Sequence, residues 1–183
     1  MLRAAQECFA VRGYEGTTVR EIARTAGVDA ALVHYYFGSK REVFAAAISD
    51  ALRPGEIGPA VLGGGPEGIG ERMLRAFLEQ WSSRERREPM LAVIRSAFSH
   101  EEAAVQLRHF VTTEVLGILV RAIPRPDAAV RATLVGSQLI GLIMVRYIVR
   151  VEPLASADTE TLVRLFAPVV QRFLTEDLGT EAV

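Results

Sequence analysis

A chain of 183 residues, 50% of them hydrophobic and 23% charged, is long enough for a real core and for a small head with a larger body, but not for three ordinary domains. Its formal net charge of −1 excludes a general nucleic-acid coat, and its single cysteine excludes an intramolecular disulfide. No charged start followed by an apolar secretion segment opens the chain, so export is not expected and the location is read as cytoplasmic.

The first helix carries Cys8 between Ala5 and Phe9, where a small buried hydrophobe is the plainest reading of a lone thiol. Thr18 is placed to cap a second helix, with Glu21 three residues later as the reciprocal carboxylate of a capping box. Val19, Ile22, Ala23 and Ala26 form its inward stripe. Gly27 lets the chain leave through a left-handed conformation, Val28 plugs the corner, and Asp29 caps a third helix starting at Ala30. Two short helices joined by so tight a turn predict a helix-turn-helix, and hence DNA binding.

On that third helix Ala30, Ala31 and Leu32 present little bulk, and His34, Tyr35 and Tyr36 crowd the end. Small residues let a helix terminus enter a major groove, where methyl groups touch thymine and hydroxyls reach phosphates or base edges. Val33 and Phe37 are the core candidates, Gly38 breaks the helix, Ser39 caps the next, and Lys40 adds an ammonium beside the groove. The first 53 residues hold seven basic against six acidic side chains, so local placement of Arg20, Arg24, Lys40 and Arg41 must create any positive face.

The spacing of Phe9, Gly13, Tyr14, Thr17, Thr18, Ile22, Ala23, Gly27, Val28, Tyr36, Phe37 and Lys40 resembles the TetR family of bacterial transcriptional regulators. The likeness runs from Ala5 to about Phe44 and implies an all-α fold. An N-terminal three-helix helix-turn-helix domain over 1–44 would precede a helical effector-binding and dimerisation domain over 45–183. It implies that Thr18, Val19 and Arg20 open the positioning helix near the DNA backbone. Ala30, Ala31, Leu32, His34 and Tyr35 would face the groove, and Tyr36 and Lys40 would contact phosphate. Two features depart from the pattern: only Met1 to Arg3 precedes the first helix, where many members carry a basic arm, and Ala30 and Ala31 lack a polar headgroup.

Beyond the head, 41–52 reads as a linking helix with Val43, Phe44, Ala47 and Ile48 inward. The stretch 54–70 holds seven glycines and reads as a flexible loop, without the pattern of a phosphate cradle. A helix then runs to Ser82 with Met73, Leu74, Phe77, Leu78 and Trp81, and Pro89 stands at the beginning of the next. A long uninterrupted helix is predicted over 101–123, followed by one capped by Asp127 that runs to about residue 151, and by a last helix beginning at Ser156 or Asp158. The apolar run 132–145 is too short for a membrane span, which needs about 20 residues, and reads as a buried helix.

The last two long helices are apolar on more than one face, and Gly136, Ser137 and Gly141 permit close approach, so they are expected to meet a second copy in a homodimer. Met73, Phe77, Trp81, Met90, Phe98, Phe110 and Leu139 can line a chamber for a small apolar or amphipathic effector, with Arg95, His109 or Gln138 orienting a polar end. Each also reads as core or solvent boundary; it is the family resemblance that favours a chamber and implies operator release on effector binding. His34, His100 and His109 show no metal-ligand spacing and Cys8 no nucleophile signature, so no catalytic residue, metal or cofactor is expected. The reading is thus a dimeric repressor of operator DNA. A DNA-binding regulator without a small ligand, and a helical enzyme retaining the head as a structural module, remain open beside it.

Overall fold

Four side chains start helices by accepting a backbone N–H that would otherwise have no partner: Thr18 from Glu21 at 3.2 Å, Asp29 from Ala31 at 2.7 Å, Ser39 from Glu42 at 3.3 Å and Asp158 from Thr161 at 2.7 Å. The structure, a computed structural model, describes residues 1–52, 58–59, 61–99 and 101–179. In chain order the helices are α1 (Leu2–Arg12), α2 (Val19–Ala26), α3 (Ala30–Phe37), α4 (Lys40–Leu52), α5 (Ile69–Ser82), α6 (Arg84–Ser99), α7 (Glu101–Phe110), α8 (Leu116–Ala122), α9 (Ala128–Ile143) and α10 (Thr159–Thr175). Among the described residues there is no strand, as expected of an all-α chain.

The chain forms two compact units, Met1–Arg53 with Ser82–Thr112, and Pro54–Trp81 with Thr113–Val183. In the first, α1 packs on α2, α4 and α6, and α4 also meets α3, α6 and α7. Phe9, Ile22, Val33, Phe44 and Ile48 are all but sealed from solvent there. In the second, Val61, Met73, Leu119, Ala132, Val135 and Val170 form one apolar cluster, and Leu74, Leu78, Leu142, Leu162 and Val163 form another.

Five expectations need correction. The helix predicted over 101–123 is interrupted by a π-helical turn at Val111–Val115, where the Thr112 hydroxyl lies 2.9 Å from both the Arg108 and His109 carbonyls and competes with the backbone for them. The helix predicted to run to 151 passes into a second π turn at Met144–Ile148 and stops before Arg150, whose φ is 59°. Pro89 lies inside α6 and not at its start. Asp127 makes no cap bond; its carboxylate instead ion-pairs with Arg131 at 2.8 Å. The glycine-rich stretch is not all loop: 58–59 and 61–62 are helical, and its described C-terminal part is pinned because the Arg72 guanidinium donates to the carbonyls of Val61, Gly65 and Glu67; residues 54–57 and 60 of that stretch lie outside the described residues.

The predicted burial of the apolar run 132–145 is met only in part. The stretches Glu101–Arg121 and Ala128–Ile148 are each long and apolar enough to cross a membrane by length and composition alone, and only 17% and 33% of their apolar windows are buried within the chain. Arg131 shows what the buried part of the second one does. It is 1% exposed and donates to the carbonyls of Phe173 and Glu176, each at 2.8 Å, so it caps the C-terminus of α10 from inside the unit.

Arg131→Ala leaves those carbonyls and the Asp127 carboxylate without their cation. A loss of about 3 kcal/mol in unfolding free energy is expected, measured by urea denaturation of the purified protein; a loss under about 0.5 kcal/mol, typical of a surface substitution, would show the cap to be dispensable.

Candidate nucleic-acid interface

The head is assembled around three rings. Phe9 of α1 meets Phe44 of α4 edge to face at 4.9 Å, and Tyr14 meets the same Phe44 at 4.9 Å, fixing the segment that leads into α2. Thr17 is fully buried, its hydroxyl within hydrogen-bond distance of the Gly13 carbonyl at 2.8 Å and of the Cys8 carbonyl at 3.1 Å. Cys8 itself is buried, with Sγ 3.4 Å from the Thr25 hydroxyl.

The capping box on α2 is complete: the Thr18 amide donates to the Glu21 carboxylate at 3.0 Å while the Glu21 amide donates to the Thr18 hydroxyl. Arg12 pairs with the same carboxylate. At the far end Gly27 adopts φ 68°, ψ 31°, and Val28 donates to the Ala23 carbonyl at 3.0 Å, so the chain turns within three residues into α3. That corner is the one the residue types predict.

Helix α3 buries one residue. Val33 is 1% exposed, Phe37 and Ala30 are half-buried, and Ala31, Leu32, His34, Tyr35 and Tyr36 face solvent. Tyr35 is 81% exposed, and its ring meets that of Tyr36 edge to face at 5.2 Å. His34 is tied back, its Nδ1 2.7 Å from the Gly38 carbonyl; since a carbonyl can only accept, Nδ1 carries the proton and Nε2 faces outward. Thr18 and Arg20 are exposed at the start of α2, with Val19 half-buried beside them.

Ser39 caps α4 as expected, but two features of this surface escaped the sequence reading. Glu42 answers Ser39 to complete a second capping box, with the Ser39 amide donating to the carboxylate at 2.7 Å and the Glu42 amide to the hydroxyl at 3.3 Å. The Ser-x-x-Glu spacing was the available signal. Lys40 does not stand free: its Nζ lies 4.3 Å from the centre of the Tyr14 ring, 3.4 Å from the Glu15 carbonyl and 3.9 Å from the Glu15 carboxylate. Nothing in the local sequence marks that arrangement, because Tyr14 and Lys40 meet only once α1 and α4 have packed.

Electrostatics follow the caps. The Thr18 backbone N–H, then the Thr18 hydroxyl and the cations of Arg12 and Arg24, hold the Glu21 carboxyl below the usual range. The Ser39 hydroxyl, then its amide, does the same for Glu42. Burial pushes the Tyr14 phenol up, with the carboxylates of Glu102 and Glu15 adding to the effect. Arg20, Arg24 and Arg41 are exposed cations on the same unit. The surface therefore offers methyl groups, phenols and guanidinium groups on an outward helix and its neighbours, which is the chemistry that meets base edges and phosphates.

The expected chamber residues divide between the two units. Met73 is buried in an apolar cluster, Phe77 and Leu139 are half-buried against the clusters, and Trp81 is buried beside Phe77 with ring centres 5.9 Å apart. Gln138 is half-buried. In the other unit Met90 and Phe110 are buried and His109 is exposed. The side chains of Arg95 and Phe98 lie outside the described residues, as does His100. A groove of about 400 Å3 opens between α5 and α10, lined by Glu71, Arg75, Glu160 and Arg164 among others. Arg75 is already bound there, 2.6 Å from Glu160 and 2.9 Å from Glu71. No group of three or more His, Cys, Asp and Glu side chains among the described residues is arranged to hold a metal ion.

Comparison with known proteins divides the chain in sequence order. Residues 1–47 match the family described as bacterial regulatory proteins, tetR family, and residues 67–174 match one described as tetracyclin repressor-like, C-terminal domain. The HTH-type transcriptional repressor AcnR of Corynebacterium glutamicum is 40% identical over 58 residues, which are 31% of this chain and 31% of that protein, so the chain spans about a third of that relative's length. The HTH-type transcriptional regulator BetI of Agrobacterium fabrum is 29% identical over 89% of this chain and 82% of its own. Among solved structures, a TetR-family regulator from Streptomyces coelicolor is 39% identical, covering 96% of this chain and 92% of that one with a TM-score of 0.66. The fatty acid degradation regulator FadR of Bacillus halodurans, 17% identical with a TM-score of 0.66 over 96% and 93% of the two chains, shares the fold.

The two capping carboxyls supply a test of how the head is held. Both sit below their ordinary value of 4.5 when folded, so the stability they contribute is complete above that value and is lost as the pH falls through their lower folded-state values. Glu21→Gln with Glu42→Gln keeps a capping oxygen but removes the titration. The melting temperature of this variant is expected to fall less steeply than that of the unaltered protein below about pH 4.5, and an unchanged acid limb would remove both groups from the account.

Proposed function

The chain belongs to the TetR family of bacterial transcriptional regulators, and from that premise we propose that it is a cytoplasmic repressor that binds operator DNA as a homodimer and is released by a small apolar or amphipathic effector. The observation that carries the DNA reading is the exposure of α3. A helix that buries Val33 alone and turns Tyr35 81% to solvent has little role in its own fold. Ala30, Ala31, Leu32, His34 and Tyr35 are the groove-facing set, Thr18, Val19 and Arg20 open the positioning helix, and Tyr36 and Lys40 contact phosphate. The Tyr14 ring and Glu15 hold the Lys40 ammonium at the start of α4 before DNA arrives. The repressor direction is supported by the AcnR repressors, one of which is 40% identical to this chain over 58 residues.

DNA binding is assigned to residues 1–44, and effector binding with dimerisation to 45–183, as a division of labour and not of packing. The homodimer reading rests on apolar surface that the chain leaves open. Ile140 on α9, and Leu165 and Val169 on α10, are exposed, and a Cβ at Gly141 would meet nothing within 4 Å. A partner covering this face would explain why a helix as apolar as Ala128–Ile148 is only a third buried in one chain. In a two-fold dimer the two copies of α3 would engage half-sites roughly 34–36 Å apart. The effector acts by preferring the conformation that has left DNA.

Selection of binding sites from random duplexes should return a two-fold symmetric site. On that site Lys40→Ala is expected to weaken binding to every sequence alike and to lower the salt slope by about one phosphate contact, whereas Tyr35→Ala changes the sequence preference as well. An unaltered slope removes Lys40 from the contact set, and failure to retain any duplex removes the reading itself. For the dimer, Leu165→Glu should give monomers in sedimentation and weaken operator binding; a variant that stays dimeric would exclude α10 as the interface.

A further inference from the structure

Among the described residues of the second unit three buried side-chain atoms have no hydrogen-bond partner. Arg131 Nε is answered by its ion pair with Asp127 at 2.8 Å, which leaves Oε1 of Gln80, a residue 9% exposed on α5, and Nε of Arg146 in the π turn after α9. One is an acceptor and the other a charged donor. Phe77, Gln80 and Trp81 stand at i, i+3 and i+4 and share one face of α5. Trp81 stacks on Tyr147 with ring centres 5.6 Å apart and planes 18° apart. The same stack brings together the two elements whose neighbouring residues are Gln80 and Arg146. The guanidinium is held in place: Nη1 donates to the Leu154 carbonyl at 2.7 Å, and the Arg146 Cζ atom lies 5.4 Å from the centre of the Tyr147 ring. Phe77 and Tyr147 are half-buried, leaving this aromatic group a partly open side.

Burying an unpaired donor or acceptor is unfavourable, so a molecule that supplies the missing partners gains what the empty protein lacks. We propose that these residues form the polar end of the effector site and that the ligand is a planar aromatic acid carrying an adjacent hydroxyl or amino group. Its ring lies against Phe77, Trp81 and Tyr147, its carboxylate accepts from Arg146 Nε, and its neighbouring donor reaches Gln80 Oε1. The assignment of this ligand as effector rests on the regulator reading above; the binding itself does not.

Salicylate is the probe, with benzoate, phenol and octanoate as comparators, titrated calorimetrically into the full-length protein. Trp81 is the chain's only tryptophan, so its single indole N–H resonance reports whether binding occurs at this place. Salicylate is expected to shift that resonance and to bind about tenfold more tightly than benzoate or phenol. Gln80→Leu removes the unpaired acceptor; it is expected to melt no lower than the unaltered protein, to bind salicylate about tenfold more weakly, and to bind benzoate unchanged. A Gln80 that served packing alone would change all ligands together or none. Arg146→Met should weaken both acids and spare phenol. No shift of the indole resonance, tighter binding of octanoate than of salicylate, or equal salicylate affinity in Gln80→Leu overturns the site. Salicylate bound at Trp81 without release of operator DNA keeps the site and overturns its role as the effector's.

Discussion

The head depends on where the chain leaves α2. Gly27 in the left-handed region, with Val28 bonded back to Ala23, sets the direction in which α3 departs, and Asp29 begins α3 two residues later. This matters because α3 is eight residues long and buries only Val33, so neither its length nor its packing suffices to order it. It is held by its ends. The Asp29 carboxylate holds the first turn, the Gly38 amide and the His34 ring close the last, and the Ser39–Glu42 box starts α4 immediately afterwards. An outward-facing helix that must keep its side chains free for a partner cannot use them for its own stability, and terminal capping is the physical alternative.

In the second unit the same task falls to arginine. Arg72 gathers the carbonyls of Val61, Gly65 and Glu67, Arg131 those of Phe173 and Glu176, and Arg146 that of Leu154. A guanidinium carries five donors in a rigid fork and suits carbonyls that irregular backbone leaves without amide partners. Counted by charge alone these residues read as surface cations. In the fold they are internal ties between chain segments far apart in sequence. Arg131 has its carbonyls and its carboxylate, whereas Arg146 keeps one buried N–H unanswered, and that difference separates a structural arginine from one with capacity for a ligand.

The apolar surface of the second unit divides in a similar way. Val135, Leu142, Leu162 and Val170 are consumed in the clusters, while Ile140, Leu165 and Val169 on the same two helices are not. Helices apolar on more than one face have more to bury than one chain can cover. The closed stripe is thus spent within the chain, and the open stripe is left to solvent.

Much of the head was legible in the residues themselves. The Thr18–Glu21 box, the glycine corner, the Asp29 cap and the buried Val33 all follow from local chemistry, in which a residue type has one favourable use at a given helix position. The tertiary structure decided what depends on residues distant in the chain. That Lys40 leans on the Tyr14 ring, that Asp127 answers Arg131 and not its own helix end, and that Gln80 Oε1 and Arg146 Nε are buried without a hydrogen-bond partner cannot be read from spacing. The π turns escaped for a related reason: a hydrophobic pattern records which side of a helix is apolar, but not whether one more residue has been fitted into a turn. Caps and corners are decided within a few residues of backbone, whereas the fate of a long polar side chain is decided by whichever segment the packing brings alongside it.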